Sequence, residues 1–196
     1  SDVCSSDLAH FALLGVAPTT ALESAQNEII VDDLETGFTR HHDCVGCEDY
    51  WWDYWSSGTY ADHSYYTKNS NVAHGRENWA EWPPHLPADG LYEIYAFIPW
   101  WYATITDAHY YVNVGGSQIG TVIINQLNVS ADWISLGSYN LPAGTQANVM
   151  LDDLSANINY AKRDIGFDAL KFVCLNCDVT PTPTPTPAPT AFRIDS

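Results

Sequence analysis

Residues 86–98 read Leu86, Pro87, Ala88, Asp89, Gly90, Leu91, Tyr92, Glu93, Ile94, Tyr95, Ala96, Phe97, Ile98, and this stretch decides the fold. Pro87 pre-sets φ and Gly90 supplies a conformation closed to other residues, so the first five residues are a turn. The run 91–98 then alternates with period two, Tyr92, Ile94, Ala96 and Ile98 on one face and Glu93 on the other, which is a half-buried strand. Working outward, 109–114 runs into Gly115, Gly116 and 118–124 runs out, a hairpin with its preferred turn. Further strands are predicted at 28–31, 38–41, 64–67, 79–82, 133–139, 147–151 and 165–174, with turns at 33–37 and 141–144. Pro83 and Pro84 end the strand at 79–82. About nine short strands at roughly ten-residue spacing, with no helical stretch, specify an all-β fold: a two-sheet antiparallel β-sandwich, jelly-roll or fibronectin-like, with extended terminal segments.

Composition agrees. Aromatic residues make up 13% of the 196, with 12 Tyr and 8 Trp against one Met, which suits a pleated surface better than helix packing. The formal net charge of −17 repels phosphate backbones and anionic lipid heads, so neither nucleic acid nor a membrane surface is a partner. No cofactor is expected; Ca²⁺ is the one ion such an acidic surface would suit, although surplus acid usually serves solubility.

Near the other end, Cys174, Leu175, Asn176, Cys177 passes into Asp178, Val179 and a Pro-Thr repeat. Such a repeat buries no core and reads as a polyproline II spacer. In secreted proteins its hydroxyls carry O-linked sugar, here on Thr180, Thr182, Thr184, Thr186 and Thr190. Residues 1–8 resemble the translation of a sequencing-adapter oligonucleotide, which points to a metagenomic source and removes Cys4 from the cysteine arithmetic. Residues 9–27 are a signal-peptide remnant or a terminal strand, and the apolar run at 10–17 is too short to span a bilayer. The expected organisation is a sandwich domain at 28–177, a spacer at 178–190, and a tail or the start of a further element at 191–196. The expected address is extracellular or the cell surface. Asn128, Val129, Ser130 is a formal glycosylation sequon of little weight.

Five separate blocks carry a family resemblance. They are Val31, Asp32, Asp33, Gly37, Phe38; Ala80, Trp82, Pro83, Leu86, Pro87, Gly90, Tyr92, Tyr95, Pro99; Gly115, Gly116; Trp133, Leu136, Gly137, Ala143, Gly144; and Asp168, Ala169, Leu170, Phe172, Val173. Together they resemble the golvesin C-terminal domain, a family also found beside xanthan lyases and other secreted bacterial hydrolases. The resemblance implies a non-catalytic, carbohydrate-binding-like β-sandwich. An insertion at 42–58 and the cysteines depart from the family pattern.

Cys44 and Cys47 with Cys174 and Cys177 form a CxxC…CxxC pair, the spacing of a tetrathiolate zinc site. Outside the cell thiols oxidise, so the expected state is disulfides with no metal, and linking the first pair to the second would close the longest loop. His41 and His42 are adjacent on a strand and point to opposite faces, so they read as solvated rather than as a metal pair.

Tyr50, Trp51, Trp52, Asp53, Tyr54, Trp55 is the densest aromatic run, and Trp100, Trp101, Tyr102 follows the clean strand where a loop should begin. Exposed aromatics in a polar insertion suit a platform that stacks on sugar rings or an anchor into another subunit; a self-contained mini-core is the plainer reading. The acids Asp32, Asp33, Asp152 and Asp153 supply carboxylates, but nothing fixes a hydrolytic pair, and no GxSxG, HExxH or phosphate loop occurs, so no catalytic residues are expected. Two functions compete. One is a subunit of an extracellular fibre or surface assembly, joined head to tail with other copies of itself through Phe11, Leu13, Leu14, Phe192 and Ile194 and the aromatic insertion. The other is a carbohydrate-binding appendage of a larger secreted polysaccharide-degrading enzyme.

Overall fold

The computed structural model describes residues 27–43, 51–71, 75–156 and 162–177. Its strands are β1 (Glu28–Val31), β2 (Thr39–His42), β3 (Trp52–Trp55), β4 (His63–Lys68), β5 (Ser70–Asn71), β6 (Asn78–Trp82) and β7 (Gly90–Ile98). They continue with β8 (Ala108–Val114), β9 (Ser117–Ile124), β10 (Asp132–Leu141), β11 (Ala147–Asp152), β12 (Leu154–Ser155), β13 (Asp164–Phe167) and β14 (Leu170–Cys174). A four-stranded sheet in the order β1-β14-β7-β10 faces a five-stranded sheet in the order β2-β6-β11-β8-β9, and every pairing within the two is antiparallel. These are the two antiparallel sheets of the sandwich read from the sequence, but the described residues hold fourteen strands rather than about nine, and the strand expected at 64–67 lies in a third sheet.

The alternation of β7 sets the core. Tyr92, Ile94, Ala96 and Ile98 are fully buried and join Ala80, Trp82, Val112, Leu151 and Phe172 in one cluster between the sheets. The Trp82 indole N–H, which would be costly to bury unpaired, donates to the Asp168 carbonyl at 2.8 Å. The Gly115–Gly116 turn has φ of +57° and +80°, the conformation a two-residue hairpin needs.

Two smaller sheets complete the described strands. β13-β4-β3 is three-stranded, and β12 pairs with β5 in parallel. The single strand expected at 165–174 is therefore two: β13 pairs with β4, and β14 pairs with β7 and β1. The chain changes sheet at Asp168 and Ala169, where Ala169 N–H is taken by the Asp168 carboxyl at 2.8 Å and Ala169 C=O by Phe97 N–H at 2.9 Å. Those bonds satisfy the backbone through the break without a Gly or Pro, so no turn residue marks it.

Above the three-stranded sheet lies the loop 99–107. A methyl group on Gly166 would stand 2.6 Å from Pro99 Cγ and 3.1 Å from Ala103 Cβ, so only glycine lets this loop seat against β13. Arg163 Nη1–H donates to Thr104 C=O at 3.3 Å, and Thr104 and Ile105 N–H both donate to Asp164 C=O, pinning the far end of the same loop.

Candidate functional site

Within β3 and β4, Trp52 lies opposite Tyr66 and Tyr54 opposite Ser64, so these four share one face. On that face Trp52 stacks on Tyr66 at 5.5 Å, Tyr66 stacks on Tyr102 at 4.1 Å, and Tyr54 meets Tyr102 edge-on at 4.9 Å. Tyr102 reaches this position from the loop 99–107 with a φ of +58°. A non-glycine residue at such an angle is strained by about 1–3 kcal/mol, an expense the stacking offsets.

Trp51 does something different. Its ring packs edge-on against Phe167 at 4.6 Å and its indole N–H donates to His41 C=O at 3.0 Å, so it belongs to the margin of the core. Trp52 is half-buried. Only Trp55 of the three tryptophans in the insertion is exposed, at 63%. The run read as exposed aromatics is therefore exposed only in part: Trp51 and Trp52 are half-buried, and the strand they adjoin uses both of its faces. Tyr50 lies outside the described residues.

Among the described residues the most accessible large rings are Trp55, Trp100 at 62% and Trp101 at 53%. Trp100 and Trp101 are near-parallel, 17° between planes with centroids 6.4 Å apart. They do not hang free. Trp100 N–H donates to Gly58 C=O at 2.9 Å, and a methyl group at Gly58 would meet Trp100 Cβ at 2.9 Å, so the tryptophan backbone lies directly on the β3–β4 hairpin.

That hairpin is itself held from beneath. Ser56 N–H donates to Asp62 C=O at 3.0 Å across the turn, and Ala61 and Asp62 take φ of 47° and 65°. Tyr60 N–H donates to Asp168 Oδ2 at 3.1 Å, and His63 Nδ1 is 3.0 Å from Asp33 Oδ2. Asp32, Asp33, Asp168 and His63 are at most 6% exposed. Burial, with Asp32 next to it, raises the Asp33 carboxyl to about 8; burial raises Asp168 to about 9, the neighbouring acids adding to it. Burial likewise lowers His63, against the pull of Asp53 and Asp32. Asp32 Oδ1 and Asp33 Oδ1 are buried without a hydrogen-bond partner.

Asp152 and Asp153 are also buried. Asp153 accepts from Glu77 N–H, Asn78 N–H and Asn78 Nδ2 at 2.8–3.0 Å, and burial still raises it to about 7. His41 stacks on Trp79 at 4.8 Å and His42 bonds Asn78 Oδ1 at 2.8 Å, so both imidazoles have protein partners rather than water alone. Among the described residues no group of three or more His, Cys, Asp or Glu is arranged to hold a metal ion.

The cysteine expectation is corrected as well. Cys174 is bonded to Cys177, three residues on, with Cα atoms 5.8 Å apart. At the end of β14 the chain folds back: Leu175 N–H donates to Leu91 C=O, Asn176 Oδ1 accepts Leu91 N–H, and Cys177 Sγ comes to rest over Gly90. The second pair therefore closes on itself and is not joined to the first. Cys44 and Cys47 lie outside the described residues, as do Phe11, Leu13, Leu14, Thr180, Thr182, Thr184, Thr186, Thr190, Phe192 and Ile194.

Tyr60 and Tyr66 were missed as site residues in the sequence. The alternation Ser64, Tyr66, Lys68 opposite Trp52 and Tyr54 was the available signal, hidden by aromatics at nearly every position of 50–55.

Among solved structures the fold is similar to part of a Paenibacillus xanthan lyase, with a TM-score of 0.62 and 20% identity over 76% of this chain. The match spans 13% of that lyase. It is also similar to a family 35 carbohydrate-binding module from an environmental isolate, with a TM-score of 0.50 and 17% identity, covering 78% of this chain and 99% of that one. Comparison with curated proteins gives no match. No helix among the described residues is long and apolar enough to cross a membrane. Residues 39–173 match the family model of the Golvesin C-terminal domain, and the chain belongs to that family.

Proposed function

We propose that this domain is the carbohydrate-binding appendage of a larger secreted polysaccharide-degrading protein. It binds rather than catalyses, and sugar rings stack on Trp100 and Trp101, with Trp55 and the Trp52, Tyr66, Tyr102 stack extending the surface. The observation that carries this reading is the near-parallel, more than half exposed Trp100–Trp101 pair on a loop fixed at both ends. Rings held in place lose little entropy on binding, which is how a shallow surface gains affinity. The structural likeness supports the same reading: a module-sized fold matches a small part of a polysaccharide lyase and the whole of a carbohydrate-binding module. The competing fibre-subunit reading has no such support.

The test is affinity electrophoresis of the full chain against a panel of soluble neutral and acidic polysaccharides, with pull-down on insoluble ones. Covering one exposed tryptophan contributes about 1.5–3 kcal/mol, so Trp100→Ala or Trp101→Ala should weaken retention roughly 10- to 100-fold. Retention that survives the double substitution, or a wild-type chain retained by nothing in the panel, overturns the reading.

A further inference from the structure

A cleft of about 370 Å³ opens beside the turn between β1 and β2. Asp33, Leu34, Glu35 and Phe38 line it from the turn, with Arg40 of β2 and Tyr65 of β4. The Arg40 guanidinium is seated 3.7 Å over the Tyr65 ring, and that ring stacks on Phe38 at 5.9 Å, so the cation rests on an aromatic wall. Arg40 is exposed, and no ion pair joins it to a carboxylate of the described residues.

The buried part of the lining is Asp33, 3% exposed. His63 Nδ1 stands 3.0 Å from its Oδ2, while Oδ1 meets no hydrogen-bond partner. Tyr65 N–H acts on the same carboxyl without reaching Oδ1 at bonding geometry. A buried polar atom left without a partner is costly, and native folds seldom keep one unless something outside the chain completes it.

We propose that this cleft is a second binding site, for a short neutral saccharide one or two rings long. It goes beyond the tryptophan surface and does not depend on it, since none of Trp55, Trp100 and Trp101 lines the cleft. A hydroxyl is the neutral group that both donates and accepts. One sugar hydroxyl pairs with Asp33 Oδ1, and does so whether that carboxyl is ionised or not, because it can take either role. Its neighbour accepts from Arg40, Glu35 offers a further acceptor, and the apolar face of the ring goes against Leu34 and Phe38. Charge narrows the class: a uronate meets Glu35 as well as Arg40, and an amine meets Arg40, so the uncharged ring is preferred. The volume lies at the small end of ligand pockets, which run from about 300 to 1,000 Å³, and gives room for about one or two sugar rings.

Titration of the full chain with glucose, galactose, mannose, xylose and their disaccharides, followed amide by amide in NMR spectra, tests the site. At sugar concentrations up to about 20 mM, at least one neutral sugar should shift the amides of Leu34, Glu35 and Tyr65 saturably. The uronic acid of the same configuration should bind at least threefold more weakly. Arg40→Gln, at an exposed position, should weaken binding at least tenfold, Glu35→Gln should weaken it less, and Trp100→Ala should leave it unchanged. Asp33→Ala should abolish it; should that variant fail to fold, the two surface variants decide. The inference is overturned if no sugar of the panel shifts the cleft amides, if the shifts are confined to Trp100 and Trp101, if the uronate is preferred, or if Arg40→Gln binds like the wild type. Because the readout is residue by residue, failure of the cleft and failure of the tryptophan surface are seen separately.

Discussion

Trp51 and Trp100 are both tryptophans of the aromatic-rich end, and replacing each by alanine should have opposite consequences. Trp51 is half-buried, against Phe167 at 4.6 Å, with Arg40 5.7 Å from its ring and its indole N–H on His41 C=O. An aromatic side chain covers about 150–250 Å² when buried, so half of that at about 25 cal/mol/Å² is roughly 2.5 kcal/mol. The lost hydrogen bond adds about 1 kcal/mol. Trp51→Ala should therefore destabilise the domain by about 3–4 kcal/mol, and Trp51→Phe, which keeps a ring but not the N–H, by about 1. For a domain of this size that is a fall in Tm of roughly 7–14 °C for the alanine variant. Trp100→Ala, at a ring 62% exposed, should cost under about 0.5 kcal/mol. Urea unfolding followed by circular dichroism gives each value, and polysaccharide retention is measured in the same buffer below the melting range. If Trp51→Ala costs less than about 1 kcal/mol while abolishing retention, the division into core ring and binding ring is wrong.

Two further outcomes follow from buried chemistry. The folded state holds Asp153, Asp33 and Asp168 protonated up to about 7, 8 and 9, whereas the unfolded chain releases those protons near the ordinary value of 3.8. Between about pH 4 and 7 the folded state thus binds more protons at all three, and above that at Asp33 and Asp168, so stability should fall as pH rises. His63, shifted down, acts in the other direction only below its ordinary value of 6.5, where its need to stay neutral costs stability in acid. Melting curves from pH 4 to 9 check the sign, and a midpoint that rises across this range would refute the burial argument. The double substitution of Cys174 and Cys177 by serine should cost only about 2 kcal/mol, because the loop it opens is short; the 4–5 kcal/mol of a hundred-residue loop would instead mean pairing with Cys44 and Cys47.

The parts of the fold that could be read from the sequence are those where one face differs from the other. β7 alternates because one face meets the core and the other meets water, and the β8–β9 hairpin is marked by two glycines whose φ only glycine takes easily. β3 was unreadable for the opposite reason: Trp51 turns to Phe167 and Trp52 to Tyr66, so both faces are aromatic and the period disappears. The break between β13 and β14 was hidden because a carboxyl, not a turn residue, satisfies the backbone there. Asp32, Asp33, Asp152 and Asp153 read only as carboxylates set in no defined pair, and nothing in their spacing shows that they are buried and raised toward their protonated forms.

That last point explains where the exposed tryptophans sit. A ring that is to stack on a ligand must stay uncovered in the free protein, so the packing that fixes ordinary core aromatics is denied to it. Its backbone has to be fixed instead. At Trp100 this is done by a close approach to Gly58 and by the seat of Pro99 and Ala103 on Gly166, both of which depend on the absence of a side chain. The hairpin bearing Gly58 borrows its rigidity in turn from Asp168 and Asp33. Removing water from those acids raises the energy of their charged forms, and the same removal strengthens every hydrogen bond they make. Acid burial of this kind is costly for overall stability, yet through Tyr60 and His63 it fixes a hairpin whose Gly58 holds the Trp100 backbone, where packing of the exposed ring could not.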